Sequence, residues 1–556
     1  MRPSAIALVV ILLTGIVHAF AAVQITEFCP DPWMYGDADE YVQLSGNGTL
    51  DNIIVSDGHG GFRFPAGTTI NGSLTIARNG SAYRESHGTL PDFEWTGSSP
   101  DVPDVIGGDP IRLANTGGHL LLYDGTILVQ EISWPRDVRP REGQVHYLEN
   151  GVWDARPLML GQSRFRAAAF RNVTVTAFVS PDCSSEVFSG TMAGATKSIQ
   201  LNMYEFSSPS MGDALTAARA RGADVTVLIE GGPVGGISEE EKDLVASINR
   251  SGIPVLSMVS SKAAHAPYRY DHAKYAVIDG NKLLITSENF KYSGFPPEGM
   301  SGNRGWGVVC EDPGLAAYYS TVFTTDTGSA SVIPYTGASG EPENLSEGKH
   351  AVEFRPERFE GATVTPVIAP DTSYLITDLI DSSRQSIEIE EAYIKNETHG
   401  GINRYLSSAI NASRRGVHVR VLLDSYWFDT EGPNDNDEMV ALINRIAATE
   451  HIPLEAKCID LAVSQVDKIH NKGVIVDDRK VLVSSINWNT NSPDFNREAG
   501  VIIDHPGVAS YFRAVFDDDW TPQYRAQSHG TDMLKIMVAL GVVLLLGMVY
   551  WHRRKR

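Results

Sequence analysis

Two short polar constellations stand out, each embedded in an apolar run. The first, DHAKYAVIDGNKLLITSENF, places His272, Lys274, Asp279, Ser287 and Asn289. The second, IHNKGVIVDDRKVLVSSINWN, places His470, Lys472, Asp477, Ser485 and Asn487 at identical spacing. On a strand, residues i and i+2 share a face, so His272 and Lys274 point together, as do Ser287 and Asn289 on the next strand. Asp279-Gly280-Asn281 is a turn signal that folds the two strands into a hairpin, and Asp477-Asp478 does the same in the second copy. Each hairpin therefore presents imidazole, ammonium, hydroxyl and amide on one face. Lysine and asparagine neutralise and hydrogen-bond phosphate oxygens. Two such faces brought together supply two imidazoles, one as nucleophile and one as general acid, which suits displacement at phosphorus. There is no CxxC or HExxH, so a structural or catalytic zinc site has no signature here.

The elements that must position these residues come from an internal duplication. VTAFVSPDCS (Val175–Ser184) matches VTPVIAPDTS (Val364–Ser373), and KSIQLNMYEF (Lys197–Phe206) matches QSIEIEEAYI (Gln385–Ile394). ARARGADVTVLIE (Ala218–Glu230) matches ASRRGVHVRVLLD (Ala412–Asp424), and GVVCEDPGLAAYYSTVF (Gly307–Phe323) matches GVIIDHPGVASYFRAVF (Gly500–Phe516). A repeat of about 190 residues is too long for a solenoid unit. Each copy alternates strand and helix, with Asn403–Ser413 read as helical, so the expectation is two α/β half-domains at 170–324 and 364–520. Residues 325–363, rich in Gly, Ser, Pro and Thr at Thr325–Gly348, are read as their connector.

Both motifs read His-x-Lys-x4-Asp, and on them the chain resembles the phospholipase D superfamily over about residues 170–520. The resemblance implies a duplicated α/β domain with a pseudo-twofold site, a phosphohistidine intermediate and no metal. It would make His272 the nucleophile and His470 the acid that protonates the leaving group and then activates water. Lys274, Lys472, Asn289 and Asn487, with Ser287 and Ser485, would hold the phosphate. Asp279 and Asp477 would support the motif. NREAG (Asn496–Gly500) resembles the family's downstream Glu position, so Glu498 would orient a histidine. The matching NRGWG (Asn303–Gly307) has Gly305 there, which leaves the second imidazole without that carboxylate. Trp306 and Trp488 beside the motifs read as core aromatics, His265 and His399 as incidental, and Ser238–Asp243 as a solvated helix start. Three functions follow as expectations: a phospholipid hydrolase or transferase, a nuclease cutting DNA or RNA by the same chemistry, or a surface binding protein with an inactive pair.

Residues 23–166 carry short alternating runs such as Glu40–Leu44, Ser73–Ala77 and His119–Tyr123 between turn residues, which predicts a β-sandwich. ITEFCPDP (Ile25–Pro32), DEYVQL (Asp39–Leu44), FPAGTTI (Phe64–Ile70) and DPIRLANTGGHLLLYDG (Asp109–Gly125) make this segment similar to the lamin-tail, immunoglobulin-like domain. That likeness implies a binding or positioning module of unknown ligand.

At the ends, residues 1–21 read as a signal peptide. Residues 521–532 read as a stalk, 533–551 as a transmembrane helix and 552–556 as a basic cytoplasmic tail. Eight N-x-S/T sequons (Asn47, Asn71, Asn79, Asn172, Asn249, Asn344, Asn396 and Asn411) agree with a single-pass glycoprotein of the cell membrane, its bulk outside. The fold class expected is thus an all-β sandwich, a duplicated α/β domain and one C-terminal span. The 556 residues hold 46 Lys+Arg against 68 Asp+Glu, a net charge of −22, and 42% hydrophobic residues. This composition excludes disorder and argues against a broad polyanion footprint, though not against a small basic site. The cysteines, Cys29, Cys183, Cys310 and Cys458, permit one or two disulfides without selecting a pairing.

Overall fold

The computed structural model describes residues 23–522 apart from 135–141, 150, 155, 261–264, 346–347, 399 and 433–434. The N-terminal part folds into a six-stranded and a five-stranded sheet. Strand Val23–Cys29 pairs antiparallel with Tyr41–Thr49, which pairs in turn with Thr69–Ala77. Alternate residues of these strands turn inward, and Ile25, Phe28, Val42, Leu44 and Ile76 meet Val55, Leu120, Leu122 and Ile132 of the facing sheet in one core.

The remainder is built on one fifteen-stranded sheet. Its middle is the antiparallel pair Phe170–Ser180 and Glu357–Ala369. Outward from that seam, the first half runs Gly305–Glu311, Lys282–Thr286, Lys274–Ile278, Ser198–Met203, Asp224–Glu230 and Val255–Met258. The second half repeats the order with Glu498–Asp504, Lys480–Ser484, Lys472–Val476, Ser386–Glu391, His418–Leu423 and Leu454–Cys458. The outer strands of each half pair parallel, joined by helices such as Pro209–Ala220 and Arg404–Arg414. The inner ones form antiparallel hairpins. The turns are those the sequence asks for. Asp279 and Gly280 sit at φ 54° and 66°, and Asp477 and Asp478 at 53° and 49°, the positive φ pair of a type I′ turn.

Helices Pro313–Thr327 and Pro506–Trp520 pack across the seam. Each starts with proline after a capping side chain: Asp312 accepts from the Leu315 amide at 2.7 Å, and His505 Nδ1 from Gly507 at 3.1 Å. Tyr319 Oη donates to the Gly500 carbonyl of the other half at 2.6 Å, and Phe512 stacks on Trp306 at 4.7 Å between centroids. One apolar core therefore runs through both halves.

Two buried arginines tie the halves crosswise. Arg304 of the first half binds Asp182 of its own half at 2.7 Å and Asp519 of the other half's long helix at 2.7 Å. Arg497 of the second half binds Asp371 of its own half at 3.1 Å and Asp326 of the first half's long helix at 2.9 Å. Each guanidinium also donates to a carbonyl at the seam, Ser180 and Ala369 respectively. The Arg497 guanidinium further donates to Ser163 Oγ at 2.6 Å, and Ser163 in turn donates to Asp371. The segment leaving the sandwich is thereby pinned to the same cluster.

Several expectations need correction. The expected connector overlaps both halves: 325–327 end a helix, and 357–363 begin the central strand of the second half. Within Ser238–Asp243, Glu241 is buried rather than solvated and accepts from the Phe206 amide at 3.0 Å. All four cysteines are free. Among the described residues no helix is long and apolar enough to cross a membrane. The longest have 15 residues, and at 1.5 Å per residue they reach about 22 Å, short of a ~30 Å hydrocarbon core. The fold class is corrected accordingly to a sandwich plus a duplicated α/β domain. The segments expected as signal peptide, transmembrane helix and tail, with His399, lie outside the described residues.

Replacing Arg304 by leucine leaves Asp182 and Asp519 buried without their cation. The expected loss is about 3–5 kcal/mol of stability, read as a lowered urea midpoint, with Arg497→Leu giving a similar loss.

Candidate active site

Each catalytic-type histidine lies just before its strand and is held by the backbone of the other half. The His272 amide donates to the Arg497 carbonyl at 2.8 Å, and the His470 amide to the Arg304 carbonyl at 2.8 Å. The residue before each histidine is held by a carboxylate at the end of a parallel strand. Glu230 accepts from the Asp271 amide at 2.5 Å and Asp424 from the Ile469 amide at 2.7 Å. The two hairpins thus converge across the seam.

Lys274 and Lys472 are fully buried, and each Nζ donates to the carbonyl of its own motif histidine, at 2.9 Å and 2.5 Å. Burial is the main cause that pushes Lys274 down to about 7 and Lys472 to about 8, against the pull of Glu498 and Glu288. An arriving phosphate anion would favour the charged form of both ammonium groups. Lys274 also faces the Tyr204 ring, with Nζ 5.1 Å from its centroid.

His272 Nδ1 donates to Glu498, 2.8 Å from Oε2. Glu498 is itself fully buried and accepts from Ser485 Oγ at 2.6 Å, from Asn496 Nδ2 at 3.0 Å and from Ser492 Oγ. His272 and these donors hold its carboxyl below the usual range despite the strong opposing effect of burial. A carboxylate on Nδ1 sets the tautomer whose Nε2 carries a lone pair. Burial foremost, then Lys274 and Lys472, lowers the His272 imidazole in spite of Glu498, so it is neutral at neutral pH. This is the state of a nucleophile.

His470 lies in a different environment. Burial first, then Lys472, Lys468 and Lys274, pushes its imidazole well down. Its Nδ1 faces Glu288 Oε2 at 3.4 Å. Glu288 escaped the sequence reading because its counterpart in the second half is Ile486, an apolar residue.

The remaining motif residues serve other groups. Asp279 accepts from the amides of Thr196, Lys197 and Ser198 at 3.0, 2.7 and 3.0 Å, and Asp477 does the same for Arg384, Gln385 and Ser386. Both lie at the turn ends of their hairpins, away from the histidines. Ser287 Oγ accepts from the Trp306 amide at 3.1 Å, and Ser485 donates to Glu498 while accepting from the Ala499 amide at 3.0 Å. The serines therefore brace the wall behind the histidines rather than face a phosphate. Asn289 Nδ2 donates to Glu205 at 2.5 Å, and the Asn487 backbone amide donates to Ser492 Oγ at 2.9 Å. The side-chain Oδ1 of both is without a hydrogen-bond partner among the described residues. Trp306 and Trp488 are fully buried core residues, and His265 stacks on Trp33 of the N-terminal sandwich at 4.4 Å. No cluster able to hold a metal occurs among the described residues.

A family model matches a segment in each of the two halves. The family described as "Cardiolipin synthase, PLD-like domain" matches residues 189–327 and 376–520, which is about half of the chain. The chain belongs to the phospholipase D superfamily, whose chemistry is that of phosphodiesterase-type hydrolases and transferases. A phospholipase D of Rickettsia prowazekii is 29% identical over 130 residues, which is 23% of this chain and 56% of that protein. The chain thus spans little more than half of that relative's length. Among solved structures, the phospholipase D family member Nuc of Salmonella typhimurium aligns with 22% identity and a TM-score of 0.25, covering 31% of this chain and 99% of that one. The phosphatidylserine synthase of Haemophilus influenzae aligns with 14% identity and a TM-score of 0.46, covering 66% and 94%.

Two substitutions separate chemistry from support. Glu498→Gln removes the charge that sets the His272 tautomer, and turnover is expected to fall about 100-fold or more. Asp279→Asn weakens partly exposed hydrogen bonds and should cost about 1 kcal/mol with turnover per folded molecule unchanged. Steady-state rates and urea titrations on both variants check the contrast.

Proposed function

We propose that the protein is an exported phosphodiesterase that cleaves phospholipid head-group esters through a phosphohistidine. The observation that carries the chemistry is the pairing, beside two buried lysines, of a neutral imidazole already seated on a carboxylate with a second imidazole from the other half. His272 Nε2 attacks phosphorus, and the bond to the leaving oxygen breaks as that oxygen takes a proton from His470 Nε2. Water, deprotonated by His470, then displaces His272. An alcohol in place of water would give transfer. Lys274 and Lys472 neutralise the phosphoryl oxygens, with Asn289 and Asn487 beside them.

Two features favour a lipid over a nucleic acid. A net charge of −22 opposes binding a polyanion along its length. The loops that follow the two equivalent parallel strands also carry exposed apolar side chains. Val234 is 75% exposed, and its amide donates to Tyr204 Oη, whose ring lies 4.5 Å from His272. Phe428 is 72% exposed and follows Asp424, which holds the residue before His470. Apolar lips around a site for a single phosphate suit an acyl-bearing diester.

Export is supported by the N-terminal apolar run and by the sequons. Asn47, Asn71, Asn172, Asn344, Asn396 and Asn411 are exposed, whereas Asn79 caps a helix and Asn249 donates to the Tyr335 carbonyl. A glycosidase treatment of protein from its native source that leaves its mobility unchanged would remove the sequon argument for export.

Purified protein is expected to hydrolyse a short-chain phospholipid without added metal, faster than single-stranded DNA, and His272→Ala to abolish both activities. Enzyme denatured in alkaline detergent during turnover should carry the phosphatidyl group on His272. Faster turnover of DNA would reassign the substrate, and label on His470 would reverse the roles.

A further inference from the structure

The duplication maps Glu498 onto Gly305, so the first half lacks the side chain that in the second half seats a histidine. That space is filled. A Cβ placed on Gly305 would fall 2.2 Å from Glu288 Oε1 and 2.7 Å from its Cδ, so the Glu288 carboxyl occupies the room a side chain at 305 would need. The substitution is matched in detail. Asn496 Nδ2 donates to Glu498 at 3.0 Å, and its counterpart Asn303 Nδ2 donates to Glu288 at 2.9 Å. Glu498 reaches the histidine of the other half, and so does Glu288, whose Oε2 lies 3.4 Å from His470 Nδ1. Glu288 is 1% exposed, and its Oε1 has no hydrogen-bond partner among the described residues.

We propose that Glu288 is the positioning carboxyl of His470, taking over from the position of Gly305, and that it readies His470 to act as the acid. This rests on the phosphodiesterase reading above and deepens it. The two carboxyls differ in their donors. Glu498 accepts from two serines and an asparagine besides His272, which keeps it ionised. Glu288 accepts from Asn303 alone among the described side chains, and burial pushes it up to about 7 although Lys472, Lys468 and Lys274 oppose the shift. His470 Nδ1 has no hydrogen-bond partner among the described residues and faces Glu288 Oε2; a proton on Glu288 would be donated to it, which leaves the imidazole proton on Nε2, facing the leaving group. During cleavage the Nε2 proton passes to the leaving oxygen, and Nδ1 receives the Glu288 proton. The carboxylate left behind is then neutralised by Lys472. Equivalent scaffolds thus give one histidine a bare Nε2 and the other a protonated one.

The test exploits leaving-group dependence. A p-nitrophenyl diester expels a stable phenolate and needs no acid, whereas an alkyl diester does. In single-turnover measurements, Glu288→Gln is expected to slow alkyl ester cleavage about 100-fold or more and p-nitrophenol release less than about tenfold. Glu288→Ile should behave likewise. The double variant Glu288→Ile with Gly305→Glu, which copies the Ile486 and Glu498 pattern of the second half, should recover alkyl ester cleavage to within about tenfold of wild type. Equal losses on both esters, no loss on the alkyl ester, or a folded double variant without recovery would overturn the assignment. Wild-type enzyme inert towards both esters would instead overturn the phosphodiesterase reading itself.

Discussion

The site depends on burying two guanidinium groups at the seam between duplicated halves. A charge in a dry interior must find its partner, and Arg304 and Arg497 each find one carboxylate at home and one on the other half's long helix. Separating the halves would leave four carboxylates and two cations exposed to mismatched surroundings. The carbonyls of the same two arginines receive the amides of His470 and His272. One pair of residues therefore sets both the angle between the halves and the place of each imidazole. The helices crossing the seam add apolar contact, but the directional constraint is ionic.

Within that symmetric frame the chemistry is unequal. Phosphoryl displacement needs a nucleophile that has lost a proton and an acid that has kept one, and two identical imidazole sites would serve both tasks poorly. The asymmetry is introduced behind the histidines. A carboxylate with several donors faces His272, and a sparsely solvated carboxyl faces His470. Sequence differences at only a few positions, Glu288 against Ile486 and Gly305 against Glu498, account for it. The acidic surface outside is compatible with this arrangement because Lys274 and Lys472 are buried beside the histidines and their field acts at short range.

Much of this was legible in order along the chain. Strand alternation, the Asp-Gly and Asp-Asp turns, and the proline-led helices are local signals, and the duplication could be read by placing one half over the other. The phospholipase D relationship was legible for the same reason, since its motif is a run of short spacings. Ends of elements were less so: the central strand of the second half begins at Glu357 because it pairs with Phe170–Ser180, a partner far away in sequence.

The sequence by itself determined which residue types repeat and at what spacing, because strand period and turn chemistry act over a few residues. It also singled out Glu498, through its place in NREAG. Only the tertiary structure decided which histidine Glu498 serves, that the serines brace the site from behind, and that Glu288 stands where Gly305 leaves room. The first turns on a contact across the seam between residues 226 positions apart, the others on side chains packed between neighbouring strands of one half, and no local period carries them.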